Sequence, residues 1–295
     1  MKKSNIVSAG LALFAMLFGA GNVFLPLALG RDSGLGIWYA LTGFVLTAVL
    51  VPLLGIISAA LYKGDYKKFL GTIGVVPGFL VALVCMVLLG PFGCTPRCLS
   101  VAYGAVEWYF PQISLLVFSI VAGVILFALT VRQSSLISIL GRYLAPVKLL
   151  LLSAVILLGL IFPGHGYVTS MPNGAAFFRG FLDGYGTLDL IASIFFAGLI
   201  CASLRNGADD DYTLAKRSAQ AGAIGGLLLG LMYAGFCLVA HLYADQLQGL
   251  DKAVLLSAVA SIILGAKGGI LANITVALTC LTTAIALTVV FAEER

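Results

Sequence analysis

Two stretches of this sequence set a pair of glycines beside a polar side chain inside long apolar runs. The first is Phe18-Gly19-Ala20-Gly21-Asn22, with Pro26 one turn later. Two glycines lower helix propensity by about 2 kcal/mol relative to alanine, and Pro26 removes a backbone donor. A helix unwinds at such a place. In lipid, unwound backbone survives only where it faces protein or a polar cavity. Its freed carbonyls then suit a cation, and the N–H groups opening the next half-helix suit an anion. Close helix packing through small residues is the other reading of Gly19 and Gly21, although the Asn22 amide needs polar partners in either case. The second stretch is Asp183-Gly184-Tyr185-Gly186-Thr187-Leu188-Asp189, between the apolar runs 172–182 and 190–204. A charged Asp at mid-bilayer costs about 2.5–3.5 kcal/mol, which makes Asp189 a candidate for lining a site. Its alternative role is a cap where a second half-helix begins, at the positive dipole end. Asp183 also reads as an interfacial residue.

Three further groups bear on the chemistry. Thr275, Thr279, Thr282 and Thr283 recur at i, i+4, i+7 and i+8 and share one helical face. Hydroxyl and carbonyl oxygens suit a hard cation such as sodium, whereas a proton site calls for a titratable group. Threonines bonding their own preceding carbonyls are the alternative. Gly90-Pro91-Phe92-Gly93-Cys94-Thr95-Pro96-Arg97 implies a kink or an unwound turn. Arg97 there either finds a partner, in Glu107 or a substrate carboxylate, or snorkels to the outer face. Asp209, Asp210 and Asp211 form an acidic run that suits a metal or, as most charge runs do, simply solvates a loop.

Enzyme chemistry finds no support. The six cysteines lie mostly in apolar runs without a Cys-x-x-Cys, and His165 and His241 stand alone. That excludes the usual zinc spacings and leaves the cysteines as small apolar fillers. Neither a His-Glu-x-x-His nor a Gly-x-Ser-x-Gly occurs. The expectation is a non-enzyme without a cofactor, other than a coupling cation.

The elements that position these groups are membrane helices. Of 295 residues, 61% are apolar and 10% charged, against about 45–50% and about 25% in soluble domains. The solvent is therefore lipid. Crossing about 30 Å of hydrocarbon takes about 20 helical residues, and eight segments qualify: approximately 5–29, 36–62, 73–104, 113–131, 143–162, 177–204, 219–243 and 268–291. Met1-Lys2-Lys3 and the run after it superficially resemble a signal peptide, but the run is too long and reads as a retained first span. Residues 251–264 read as a short helix on, or re-entering, the outer face. Eleven basic residues fall on the side of the termini and four on the other, which puts both termini in the cytoplasm. The net charge of +5 is scattered over short loops, so nucleic acid is not an expected partner. Interrupted spans opening both halves of the chain point to a transporter site between inverted repeats.

The motifs FGAGNVFLP at 18–26, GPFGCTPR at 90–97, YLAPVK at 143–148, GYGTLDLIAS at 184–193 and CLTTAIALT at 280–288 together resemble the branched-chain amino acid:cation symporters. This is the LIVCS family of bacterial system II carriers. The resemblance runs along the whole chain and implies a LeuT-like inverted-repeat fold of the amino acid–polyamine–cation superfamily. Residues 1–295 then form one all-α polytopic transporter domain, with helices 1–5 over about 5–162 and the second repeat starting over about 172–291. It implies cation-coupled uptake of leucine, isoleucine and valine, by sodium or protons, across the bacterial inner membrane. The implied substrate site comprises Leu17, Gly19, Ala20, Gly21 and Asn22 opposite Tyr185, Gly186, Thr187 and Asp189. The implied sodium site takes the carbonyls of Ala15, Phe18 and Thr279 with the hydroxyls of Thr282 and Thr283. Family members carry about twelve helices and a LeuT-like core needs ten, so the second repeat is expected to be incomplete. The chain is then a fragment, a truncated product or half of a split carrier whose missing helices come from a second chain. A proton-coupled carrier of another small solute and a non-transporting fragment are the alternative functions.

Overall fold

The computed structural model describes residues 4–107, 109–131, 145–162, 164, 166, 171–205 and 211–293. Among the described residues every regular element is helical. Helices α1 (Ser4–Leu17) and α2 (Gly21–Ser33) form one span bent by 70°. Helix α3 runs Ile37–Leu61, with a π turn at Leu46–Leu50 ahead of Pro52. The short α4 (Tyr66–Gly71) follows, its first turn capped by Asp65, which accepts from the Lys68 N–H at 3.1 Å. That bond holds the Asp65 carboxyl below its ordinary pKa.

The span expected over 73–104 divides at its glycine-proline turn into α5 (Val75–Leu89) and α6 (Cys94–Glu107). Helices α7 (Leu115–Val131) and α8 (Ala145–Ile161) come next. The glycine-interrupted span is α9 (Asn173–Tyr185) and α10 (Asp189–Leu204). Helix α11 runs Asp211–Leu242, the short α12 is Ala244–Leu247, and α13 is Leu255–Glu293.

One expectation needs correction. Pro26 does not break its helix but lies inside α2; the glycines do the unwinding. The segment at 251–264 is a short apolar helix, Lys252–Gly265, set off from the last span by a sharp kink at Gly265, whose φ is +68°. Four helices are long and apolar enough to cross a membrane, and five with the bent α1–α2 pair. Leu115–Ala128 and Leu149–Ile161 are apolar but shorter, so among the described residues the expected eight full spans are not reached. The protein is an all-helical, polytopic membrane protein. Its outward faces confirm the solvent: Val75, Phe79, Leu116, Phe127 and Leu150 are each more than 60% exposed, an apolar surface that water would not tolerate.

The broken spans are held by close packing. Gly180 and Gly184, one turn apart on α9, press against α3. A Cβ at Gly180 would overlap the Ala40 carbonyl, and one at Gly184 the Thr47 hydroxyl. This is the small-xxx-small contact by which membrane helices gain dispersion energy, lipid offering no hydrophobic drive between them. Thr47 seals it by donating to the Phe181 carbonyl at 2.9 Å.

Candidate functional site

The two helix breaks meet. Between α1 and α2 the helix is interrupted at residues 18–20, and the buried Leu17 carbonyl accepts the Asn22 amide at 2.9 Å. Opposite, the chain leaves α9 at Gly186 and re-enters helix at Asp189 through Leu188, a left-handed residue with φ +65°. A leucine in that region costs of order 1–3 kcal/mol, so the turn is imposed by its surroundings. Thr187 donates to the Gly184 carbonyl at 2.8 Å, and its oxygen accepts the Asp189 N–H at 3.4 Å.

Asp189, 2% exposed, is the centre of a buried network. The Asn22 amide lies 3.0 Å from each carboxylate oxygen. Tyr233, from the middle of α11, donates to Oδ2 at 2.7 Å and accepts from Asn22 at 2.6 Å. Asn22 has two N–H bonds for these oxygens and the Leu17 carbonyl, so they share it. Tyr233 is fully buried, its ring edge-on to Phe44 at 5.2 Å. Three separate spans thus join at one carboxylate, which lipid would otherwise expel.

A cavity adjoins the network, lined by Leu17, Gly19, Ala20, Gly21 and Asn22 on one side and Thr187, Leu188 and Asp189 on the other. Arg97, Cys94 and Phe196 close it. The space open to water is about 40 Å³, enough for about three waters at about 10–15 Å³ each, so the cavity is narrow. Thr283 also lines it, its methyl 3.5 Å from where a Gly19 Cβ would stand.

Of the residues expected to bind substrate, Leu17, Gly19, Ala20, Gly21, Asn22, Thr187 and Asp189 border the cavity. Gly186 contributes its carbonyl, which accepts from Arg97. Tyr185 does not border it: the ring is 42% exposed and packs against Phe181 at 5.2 Å. Of the expected cation ligands, Thr283 reaches the α1 break. Phe18 is buried there with its ring stacked on Phe14 and Phe236. Ala15 is exposed on the outer side of α1. The side chains of Thr275, Thr279 and Thr282 lie outside the described residues, as do Asp209 and Asp210. Asp211 pairs with Lys63 at 3.2 Å, both well exposed. Arg97 neither snorkels nor meets Glu107, whose carboxylate faces the Tyr103 hydroxyl at 3.4 Å.

Sequence reasoning missed Tyr233. Its signal was slight: a phenol at the middle of an apolar run, where a buried hydroxyl must find a partner.

Comparison with known proteins agrees with this architecture. A profile of the family described as branched-chain amino acid transport protein matches residues 2–294. The branched-chain amino acid permease BraB of Bacillus subtilis is 33% identical over 290 residues, covering 94% of this chain and 64% of the relative. The branched-chain amino acid transport system 3 carrier protein of Pseudomonas aeruginosa is 31% identical over 300 residues, 99% of this chain and 69% of the relative. Permease BrnQ of Escherichia coli is 29% identical over 300 residues, 99% and 68% respectively. The chain spans about two-thirds of the length of these relatives. A family match along nearly the whole chain, on a fold of apolar helices broken around a buried polar network, leads to one assignment: the chain belongs to the branched-chain amino acid transport protein family, a family of transporters and not of enzymes.

Proposed function

We propose that the chain takes part in cation-coupled uptake of leucine, isoleucine and valine across the bacterial inner membrane, with both termini cytoplasmic. The observation that carries this reading is the meeting of two helix breaks, from opposite halves of the chain, around Asn22, Asp189 and Tyr233 beside a narrow cavity. Half-helix ends there offer N–H groups to a carboxylate and carbonyls to a cation. The relatives' names supply the substrate class. On this reading the fold is a LeuT-like inverted repeat, and the coupling ion is sodium. It sits where Thr283 approaches the α1 break, with the Phe18 carbonyl and the Thr283 hydroxyl as ligands.

The test is labelled leucine uptake into an uptake-deficient bacterium expressing the chain, with and without a sodium gradient, membrane insertion being checked in parallel. Sodium-dependent uptake is expected. Stable insertion without uptake in either condition would overturn the reading for this chain. The buried Asp189 carboxylate favours proton coupling as a second reading. Uptake that persists without sodium, follows an imposed pH gradient and disappears in Asp189→Asn would establish it.

A further inference from the structure

Arg97 lies in the first turn of α6, just past the Gly90–Gly93 turn, and is half-buried. Its guanidinium reaches between the two helix breaks. One N–H group donates to the Gly186 carbonyl, and the guanidinium carbon lies 5.6 Å from the centre of the Phe24 ring. A guanidinium carries five N–H donors in a planar fork. Among the described residues the Gly186 carbonyl is its hydrogen-bond acceptor. Asp189 borders the same cavity, close enough to act on Arg97 electrostatically. Among the described residues it forms no ion pair with Arg97: its hydrogen bonds come from Asn22 and Tyr233, and a carboxylate so bonded still has a lone pair for one more donor.

A cation and an anion thus line one small, largely buried space without pairing directly. That arrangement is costly in low dielectric unless a ligand completes it. The complementary ligand carries both charges, as an α-amino acid zwitterion does.

We propose that Arg97 binds the carboxylate of the transported amino acid, whose ammonium then lies toward Asp189. This assignment rests on the transport reading above. The fork of Arg97 matches a carboxylate in bidentate fashion, which a lysine cannot do. Gly21 makes room for it: a Cβ there would stand 3.1 Å from Nη1. In this narrow cavity of about 40 Å³, an arriving carboxylate replaces the Gly186 carbonyl as the acceptor for Arg97.

The experiment is competition against labelled leucine on the 295-residue chain in lipid nanodiscs, using leucine and leucinamide, which keeps the side chain and amine but lacks the carboxylate. In the wild type leucinamide is expected to bind about 30-fold more weakly than leucine, or worse. In Arg97→Gln the ratio shrinks to within about 3-fold, with leucine weakened and leucinamide little changed; Arg97→Lys falls between. An inserted Arg97→Gln that keeps the wild-type ratio overturns the assignment. Should neither variant insert, equal binding of the two ligands by the wild type overturns it as well. A wild type that binds no leucine overturns the transport reading itself, an outcome distinct from leucine binding with an unchanged ratio.

Discussion

Tyr233 and Asn22 keep a carboxylate inside the membrane, and each can be tested alone. Tyr233→Phe removes one donor from Asp189 and leaves the ring and its contact with Phe44 in place. Leaving a buried acceptor short of a donor costs about 1–3 kcal/mol, so the variant should unfold correspondingly earlier in detergent with its helix content unchanged. Asn22→Leu should lose more, because that amide serves Asp189, Tyr233 and the Leu17 carbonyl together. Thermal unfolding followed by circular dichroism checks both, and a Tyr233→Phe shift below about 0.5 kcal/mol would mean that the phenol is incidental. Asn22 and Asp189 were legible as candidates because a mid-span amide or acid is rare and expensive. Tyr233 was not, since tyrosine is common in apolar helices and nothing local shows that its hydroxyl meets two spans distant in sequence.

Glycine has opposite uses in different elements. At Gly180 the absent side chain lets α9 touch α3, and a Cβ there meets backbone that cannot move aside. At Gly123, inside α7, nothing lies within 4 Å of an added Cβ. Replacement by alanine should therefore have opposite signs. Gly180→Ala is expected to destabilise by about 1–3 kcal/mol through overpacking, whereas Gly123→Ala should be neutral or gain up to about 1 kcal/mol in helix propensity. Denaturation of the two variants side by side settles the matter, and equal shifts would contradict the close-packing account. The breaks themselves were readable from Gly-x-Gly. The continuation of α2 past Pro26 was not: proline forfeits a single i→i−4 bond, and the helix runs on to Ser33 around it.

Across the whole molecule, the far ends of the broken spans are joined by charge. Asp32, at the end of α2, meets Arg31 at 2.7 Å and Arg179 of α9 at 2.6 Å, while Arg31 donates to the Leu250 carbonyl at 2.7 Å. One partly buried carboxylate so ties α2, α9 and the segment before α13 together. Asp32→Asn should release them, at a cost of about 1 kcal/mol given the partial exposure. Faster proteolysis between residues 244 and 254, with the core helices still protected, is the expected sign. Unchanged cleavage would show that packing alone holds that end.

Composition by itself determined the solvent, the helical class and the polytopic character, because no arrangement of so apolar a chain survives in water. Glycine spacing within apolar runs located both breaks, since helix propensity is a local property. The motifs pointed to the transport family before any fold was in hand. Which polar groups face one another was decided only in three dimensions. Asn22 and Asp189 are 167 positions apart, and Asp189 and Tyr233 are 44 apart, separations that no periodicity spans. Arg97 could be assigned Glu107, a ligand or the outer face from sequence, and only the fold turned it toward Gly186. Tyr185 lies within the right motif yet points away from the cavity, because a helix break sets the direction of each flanking residue and a motif does not record it.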